Sequence, residues 1–130
     1  MIAVDANAVV ALLVDESELG VASRRLYAEH DLAAPDLLPY EVASVLRKLC
    51  QLNVVTTRTA EHALQDLHLI RISPVPYVDI SGRIWQLREN LSVYDAAYVA
   101  VAELFDVPLL TFDGRIRRAP GPNCEFVTPN

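Results

Sequence analysis

The chain has 130 residues, 52% apolar and 22% charged, with a formal net charge of −6. These values fit one folded domain, residues 1–130, with a real core, and exclude a disordered chain. The acidic balance argues against broad electrostatic attraction to nucleic acid. The longest apolar runs, Ala8–Val14 and Ala96–Ala102, fall far short of the roughly 20 residues that cross a bilayer. No basic stretch followed by an apolar one opens the chain, so a cytoplasmic protein without membrane attachment is expected. Cys50 and Cys124 are isolated from each other and from His30, His62 and His68, a pattern of neither a disulfide framework nor a zinc site. Every basic residue except Lys48 is an arginine, which suits bidentate phosphate contacts and equally a biased genome composition.

Taken in chain order, Ile2–Val4 reads as a strand apolar on both faces, as central parallel strands are. Asn7 is placed to cap a short helix, Ala8–Val14. Ser17 precedes a second helix, ELGVASRRLYAEH, and DLAAP reads as a second strand closed by Pro35. DLLPYEVASVLRKLCQLN is a long helix with an apolar stripe at Leu38, Val42, Val45, Leu46, Leu49 and Leu52, and Pro39 fits only in its first turn. Thr57 or Thr59 starts the helix RTAEHALQDLHL. IRISPVPY, with Pro74 and Pro76, is extended near a sheet edge or a loop. DISGRIWQLREN is a further helix, with Trp85 read as core or a subunit interface. SVYDAAYVAVAELFD is apolar nearly all round, so it is expected to be buried on several sides. VPLLTFD and CEFVTP are the last strands. Strands alternating with helices predict an α/β layered domain around a mainly parallel sheet.

Four carboxylates sit at the ends of these elements. Asp5 ends the first strand, Glu41 lies in the first turns of the long helix, Asp95 opens the buried helix, and Asp113 ends PLLTFD. Each has an ordinary local reading: a strand-end turn or helix cap for Asp5, a solvated helix residue for Glu41, a capping spacing from Ser92 for Asp95, and a turn with Gly114 for Asp113. Together they could converge on one rim of a parallel sheet, where ligand crevices form. Clustered carboxylates repel one another, and a hard divalent cation such as Mg²⁺ or Mn²⁺ relieves that conflict with oxygen ligands. With no serine, cysteine or histidine nucleophile beside a matching base, metal-assisted hydrolysis is the favoured chemistry.

The segments IAVDANAVVALL, LLPYEVASVLRK, LSVYDAAYVAVAE and PLLTFDGRI resemble the four motif regions of PIN domains. The resemblance is to VapC-type toxin ribonucleases of bacterial toxin–antitoxin pairs, and it runs from Met1 to about Arg118. It implies a PIN-like three-layer fold, a central mainly parallel sheet flanked by helices, and cleavage of RNA with Mg²⁺ or Mn²⁺. By position, Asp5, Glu41, Asp95 and Asp113 take the places of the family's acids. Asp5 and Asp95 are then the principal metal ligands, Asp113 completes the site, and Glu41 orients water or a second cation. Asn7 stands where the family often has Ser or Thr, and its amide is offered to the edge of the site. Arg115, Arg117 and Arg118 follow Asp113 and are assigned to the RNA backbone; an ordinary solvated turn is the competing reading. Tyr94 is open to a base-stacking or a core role. The resemblance further implies a homodimer and a VapB-type antitoxin whose tail lays an apolar helix, often with an arginine, in the acidic groove.

The alternative is a catalytically silent PIN-like or receiver-like α/β regulatory binding module. A receiver needs a second acid beside the first and a lysine near the end. Here Asn7 follows Asp5, and the lysine is Lys48. A phosphatase with Asp5 as nucleophile wants an acid two residues on, and Asn7 supplies none.

Overall fold

The computed structural model describes residues 1–128. The last residue of the expected CEFVTP strand, Pro129, lies outside the described residues. In order the elements are β1 (Ile2–Val4), α1 (Ala6–Val14), α2 (Glu18–Glu29), β2 (Leu32–Pro35), α3 (Leu38–Gln51), α4 (Thr57–Leu67), β3 (Ile72–Val75), α5 (Tyr77–Gln86), α6 (Val93–Phe105), β4 (Leu109–Leu110), α7 (Gly114–Arg118) and β5 (Phe126–Val127). The strands form one parallel sheet in the order β3-β2-β1-β4-β5. The α/β reading therefore stands.

Successive strand side chains point to opposite faces, yet Ile2, Ala3 and Val4 are all buried. Both faces of the central strand are covered, which makes the domain three-layered. Helix α6 packs against β1, β2 and β4, with α5 against it, while α1 packs with α2, α3 and α4. The run Ala96–Ala102 in α6 is buried throughout, as its all-round apolarity requires. Asp106 ends that helix in the left-handed region at φ 53°. Pro74 sits in β3, at the sheet edge, where a missing N–H costs no ladder bond on the open side.

Several local expectations change. Helix α1 starts at Ala6, and its N-cap is Asp5, whose Oδ1 accepts from the Ala8 amide at 2.9 Å. Asn7 is therefore no cap; it is exposed in the first turn. Asp5 wins the position because it is extended (φ −95°, ψ 173°), as a residue leaving a strand is, and its carboxylate reaches the free amides of the turn ahead. Helix α4 does start at Thr57, one of the two expected positions, and Thr56 before it is the cap. Leu52 leaves the α3 stripe and is exposed, because the chain turns at Asn53 with φ 57°. Trp85 is not core. It is 63% exposed on α5, with the Arg88 guanidinium 4.7 Å from its ring centroid. Tyr94 is likewise exposed. In place of the solvated turn of the competing reading, Gly114–Arg118 forms a short helix capped by Asp113.

The last strand is secured by charge. Arg83 Nε donates to Glu103 Oε1 at 2.6 Å and Arg83 Nη2 to the Gly121 carbonyl at 2.8 Å, while the Asn123 amide donates to Glu103 Oε2 at 2.9 Å. This pair ties α5, α6 and the approach to β5 together. Arg83→Met is expected to lower the unfolding free energy by about 1–2 kcal/mol, read as a lower urea midpoint with an unchanged slope.

Candidate active site

The strand register builds the site. Ala3 pairs with Leu109 and Val4 with Leu110, so the next residues along, Asp5 and Thr111, leave their strands side by side. The Asp5 amide still donates to the Leu110 carbonyl at 3.3 Å. The order of strands reverses about β1, with β2 on one side and β4 on the other. Such a reversal is where ligand crevices form at the carboxyl ends of a parallel sheet, and Asp5 lies at that point.

Asp5 is 4% exposed. Its Oδ1 caps α1 and its Oδ2 accepts from the Thr111 hydroxyl. Burial pushes its carboxyl above the ordinary 3.8, the bonds from Thr111 and Ala8 oppose that, and the charges of Asp113 and Asp95 add to the rise. Glu41 is half-buried on α3, and its Oε1 accepts from the hydroxyl of buried Tyr98 on α6 at 3.1 Å. Burial raises its pKa, Tyr98 opposes, and Asp95 and Asp5 raise it further. Burial also raises the Tyr98 phenol, with added repulsion from Glu41, Asp5 and Asp95. Asp95 lies in the first turn of α6, its amide taken by the Ser92 hydroxyl at 3.1 Å as the S-x-x-D spacing anticipated. Asp113 caps α7, and its carboxylate takes the Arg115 amide at 2.8 Å and the Arg115 Nη2 at 3.1 Å. That fork, above all, holds its pKa low.

The four acids thus share one electrostatic neighbourhood. Among the described residues, however, no three His, Cys, Asp or Glu side chains close on a common ion-sized point as they stand. Their bonds explain why: Asp5, Glu41 and Asp113 each face an internal donor. The bonded oxygens of Asp5 and Glu41 each keep a second lone pair, and Asp113 Oδ2 keeps one beside its bond from Arg115, while Asp113 Oδ1 accepts from both the Arg115 amide and Nε. The set is all hard oxygen, so the donors suit Mg²⁺ or Mn²⁺.

The three arginines after Asp113 separate into three roles. Arg115 is fully solvent-facing and ion-paired to Asp113. Arg117 turns inward; its Nη1 donates to the Thr111 carbonyl at 3.2 Å and the Val127 carbonyl at 3.4 Å, and its guanidinium lies over Phe126. Arg118 is exposed and folds back over Gly114. Thr111 and Tyr98 escaped the sequence reading. The signal for Thr111 was a polar residue inside an apolar strand two positions before an acid; a buried tyrosine in an apolar helix offers no such signal. A hollow of about 490 Å³ lies at the other rim, where α6 ends and β4 and β5 begin, away from these acids. No described helix is long and apolar enough to cross a membrane.

Four carboxylates gathered near the carboxyl rim of the parallel sheet of a three-layer domain are the features of the class. The PIN domain family model matches residues 2–122, and the chain belongs to that family. It is 40% identical over 127 residues to ribonuclease VapC1 of Mycobacterium tuberculosis, covering 95% of this chain and 93% of that protein. It is 37% identical over 124 residues to ribonuclease VapC9 of the same organism, covering 95% and 94%. Among solved structures, the Sarcin-Ricin loop cleaving toxin VapC20 of M. tuberculosis matches with a TM-score of 0.73 at 19% identity, over 99% of this chain and 100% of that one. VapBC2 from Rickettsia felis, solved bound to a promoter DNA fragment, matches with a TM-score of 0.70 at 15% identity, over 100% of each chain. At these identities the structural likeness establishes the fold.

Folding stability inherits the repulsion. Asp5 and Glu41 bind protons more tightly folded than unfolded, so their contribution is full below the ordinary values of 3.8 and 4.5 and is lost as pH rises through the raised folded values. Asp113 acts in the other sense: its contribution is present above 3.8 and is lost as pH falls through its depressed value. In EDTA at about pH 7.5, Asp5→Asn is expected to raise the unfolding free energy by about 1 kcal/mol, since the amide keeps the Ala8 acceptor and relieves a buried charge. Denaturant titration of both proteins measures this; a variant no more stable than its parent there counts against it.

Proposed function

We propose that the protein is a VapC-type toxin that cleaves RNA phosphodiester bonds with a divalent metal ion. The observation that carries the reading is the buried carboxylate of Asp5, which shares its electrostatic field with Asp95, Asp113 and Glu41 in a PIN fold whose sequence relatives are ribonucleases. Asp5, Asp95 and Asp113 hold the cation. When bound, Mg²⁺ or Mn²⁺ supplies Lewis-acid charge for the phosphodiester and activates the attacking water.

Glu41 has one oxygen engaged by Tyr98, which leaves the other to orient the attacking water and take its proton. Its raised pKa moves it toward neutrality, where a general base is most effective. Arg115 and Arg118, on the exposed face of α7, receive the phosphate backbone. Asn7, exposed in the first turn of α1, offers its amide to a phosphate oxygen at the rim. Arg117 keeps a structural role, since its guanidinium is engaged inside the domain. The net charge of −6 leaves little counterion-driven affinity for RNA at large, so selection of a defined, structured RNA follows. The same acidity suits a basic antitoxin of VapB type, and the protein acts as a homodimer in the cytoplasm.

Purified protein with total RNA is expected to cleave in Mg²⁺ or Mn²⁺ and not in EDTA. Asp5→Asn and Asp95→Asn are expected to abolish cleavage, and Glu41→Gln to slow it about 100-fold or more. Cleavage that persists in EDTA, or an active Asp5→Asn protein, overturns the mechanism. Co-expression with the neighbouring reading frame is expected to yield a co-purifying small basic-tailed protein that blocks cleavage. Recovery of the nuclease alone counts against the antitoxin assignment.

A further inference from the structure

We propose that Thr111 is a positioning residue that couples Asp5 to Asp113 and thereby sets the affinity of the site for a divalent cation; the inference rests on the metal-assisted reading above. Thr111 is wholly buried at the end of β4. In a parallel strand covered on both faces, valine has the same shape without a hydroxyl to desolvate. The hydroxyl is therefore notable for its two partners. It donates to Asp5 Oδ2 and accepts from the Asp113 amide at 3.0 Å.

The direction of these bonds is fixed by chemistry. An ionised carboxylate only accepts and an amide N–H only donates, so the hydroxyl proton must point at Asp5 and a lone pair at Asp113. With Oδ1 on the Ala8 amide and Oδ2 on Thr111, both oxygens of Asp5 are oriented, and each still has a lone pair to give. The same hydroxyl holds the backbone of Asp113, whose own carboxylate then caps α7. Arg117 secures the Thr111 backbone from behind, through its carbonyl. One side chain thus sets the spacing between acids that are distant in sequence and come from two neighbouring strands. Outer partners of metal ligands that act this way change metal affinity by about 10–100-fold when removed.

The test uses the full chain with Thr111→Val, Thr111→Ser and Asp5→Asn, and measures Mg²⁺ binding by titration calorimetry alongside RNA cleavage across Mg²⁺ concentrations. Thr111→Val is expected to weaken Mg²⁺ binding about tenfold or more and to raise by the same factor the Mg²⁺ needed for half-maximal cleavage. KM for RNA at saturating Mg²⁺ is expected to stay within about twofold, since the Thr111 side chain is wholly buried. Thr111→Ser, which keeps the hydroxyl, is expected to bind Mg²⁺ within about threefold of the parent. Should circular dichroism show Thr111→Val unfolded, Thr111→Cys, a weak donor of similar volume, takes its place with the same expected shift. Parental Mg²⁺ affinity in the valine or cysteine variant, or a serine variant as weak as either, overturns the role of Thr111 and leaves the nuclease reading standing. A parent that cleaves RNA yet binds no Mg²⁺ overturns the metal reading and this inference with it.

Discussion

Asp5 leaves the central strand with both carboxylate oxygens engaged, one on the first turn of α1 and the other on the hydroxyl at the end of β4. Burial and the charges of Asp113 and Asp95 make its ionised form costly, and among the described residues its side-chain partners are the Ala8 amide and the Thr111 hydroxyl. The fold accepts that cost because parallel pairing of β1 with β4 forces the two strand ends together. Everything else at the rim answers to this one buried acid: Tyr98 steadies Glu41, Arg115 neutralises Asp113, and Asp95 is brought in by the start of α6. A cation at the centre of such a group gains from several charges at once.

The arginines show how a protein of net charge −6 can still meet phosphate. Three of them follow Asp113 within one short helix, and helical geometry sends them apart. Arg117 reaches inward to β4 and β5, whereas Arg115 and Arg118 remain at the surface beside the acids. Positive charge is therefore delivered locally. The structural arginine also holds the strand that carries Thr111, so the substrate-facing and supporting sides of α7 share one element.

Much of this was legible along the chain. The apolar runs at Ile2–Val4 and Ala96–Ala102 announced a buried strand and a buried helix because no polar face was available to either. The four acids stood out because each interrupted or opened such a run. Asn7 was harder. Asn and Asp both cap helices, and only the extended backbone at Asp5 decides between them. Leu52 was read inward on apolarity alone, although it falls past the end of α3, and of the two readings of Trp85, core or a subunit interface, its exposure on α5 removes the first. Single apolar residues on a surface are ordinary, and a linear pattern does not say which helix face is left uncovered.

By itself the sequence determined the alternation of strands and helices, the burial of α6, and the identity of the acids, since residue type and periodicity act locally. The tertiary structure alone decided strand order, the register that sets Asp5 beside Thr111, and the contact of Tyr98 with Glu41. Asp5 and Thr111 are 106 residues apart, and Glu41 and Tyr98 are 57 apart. No local rule connects such pairs. They meet because β1 pairs with β2 on one side and β4 on the other and α6 packs across these strands, which brings the ends of distant elements to one rim.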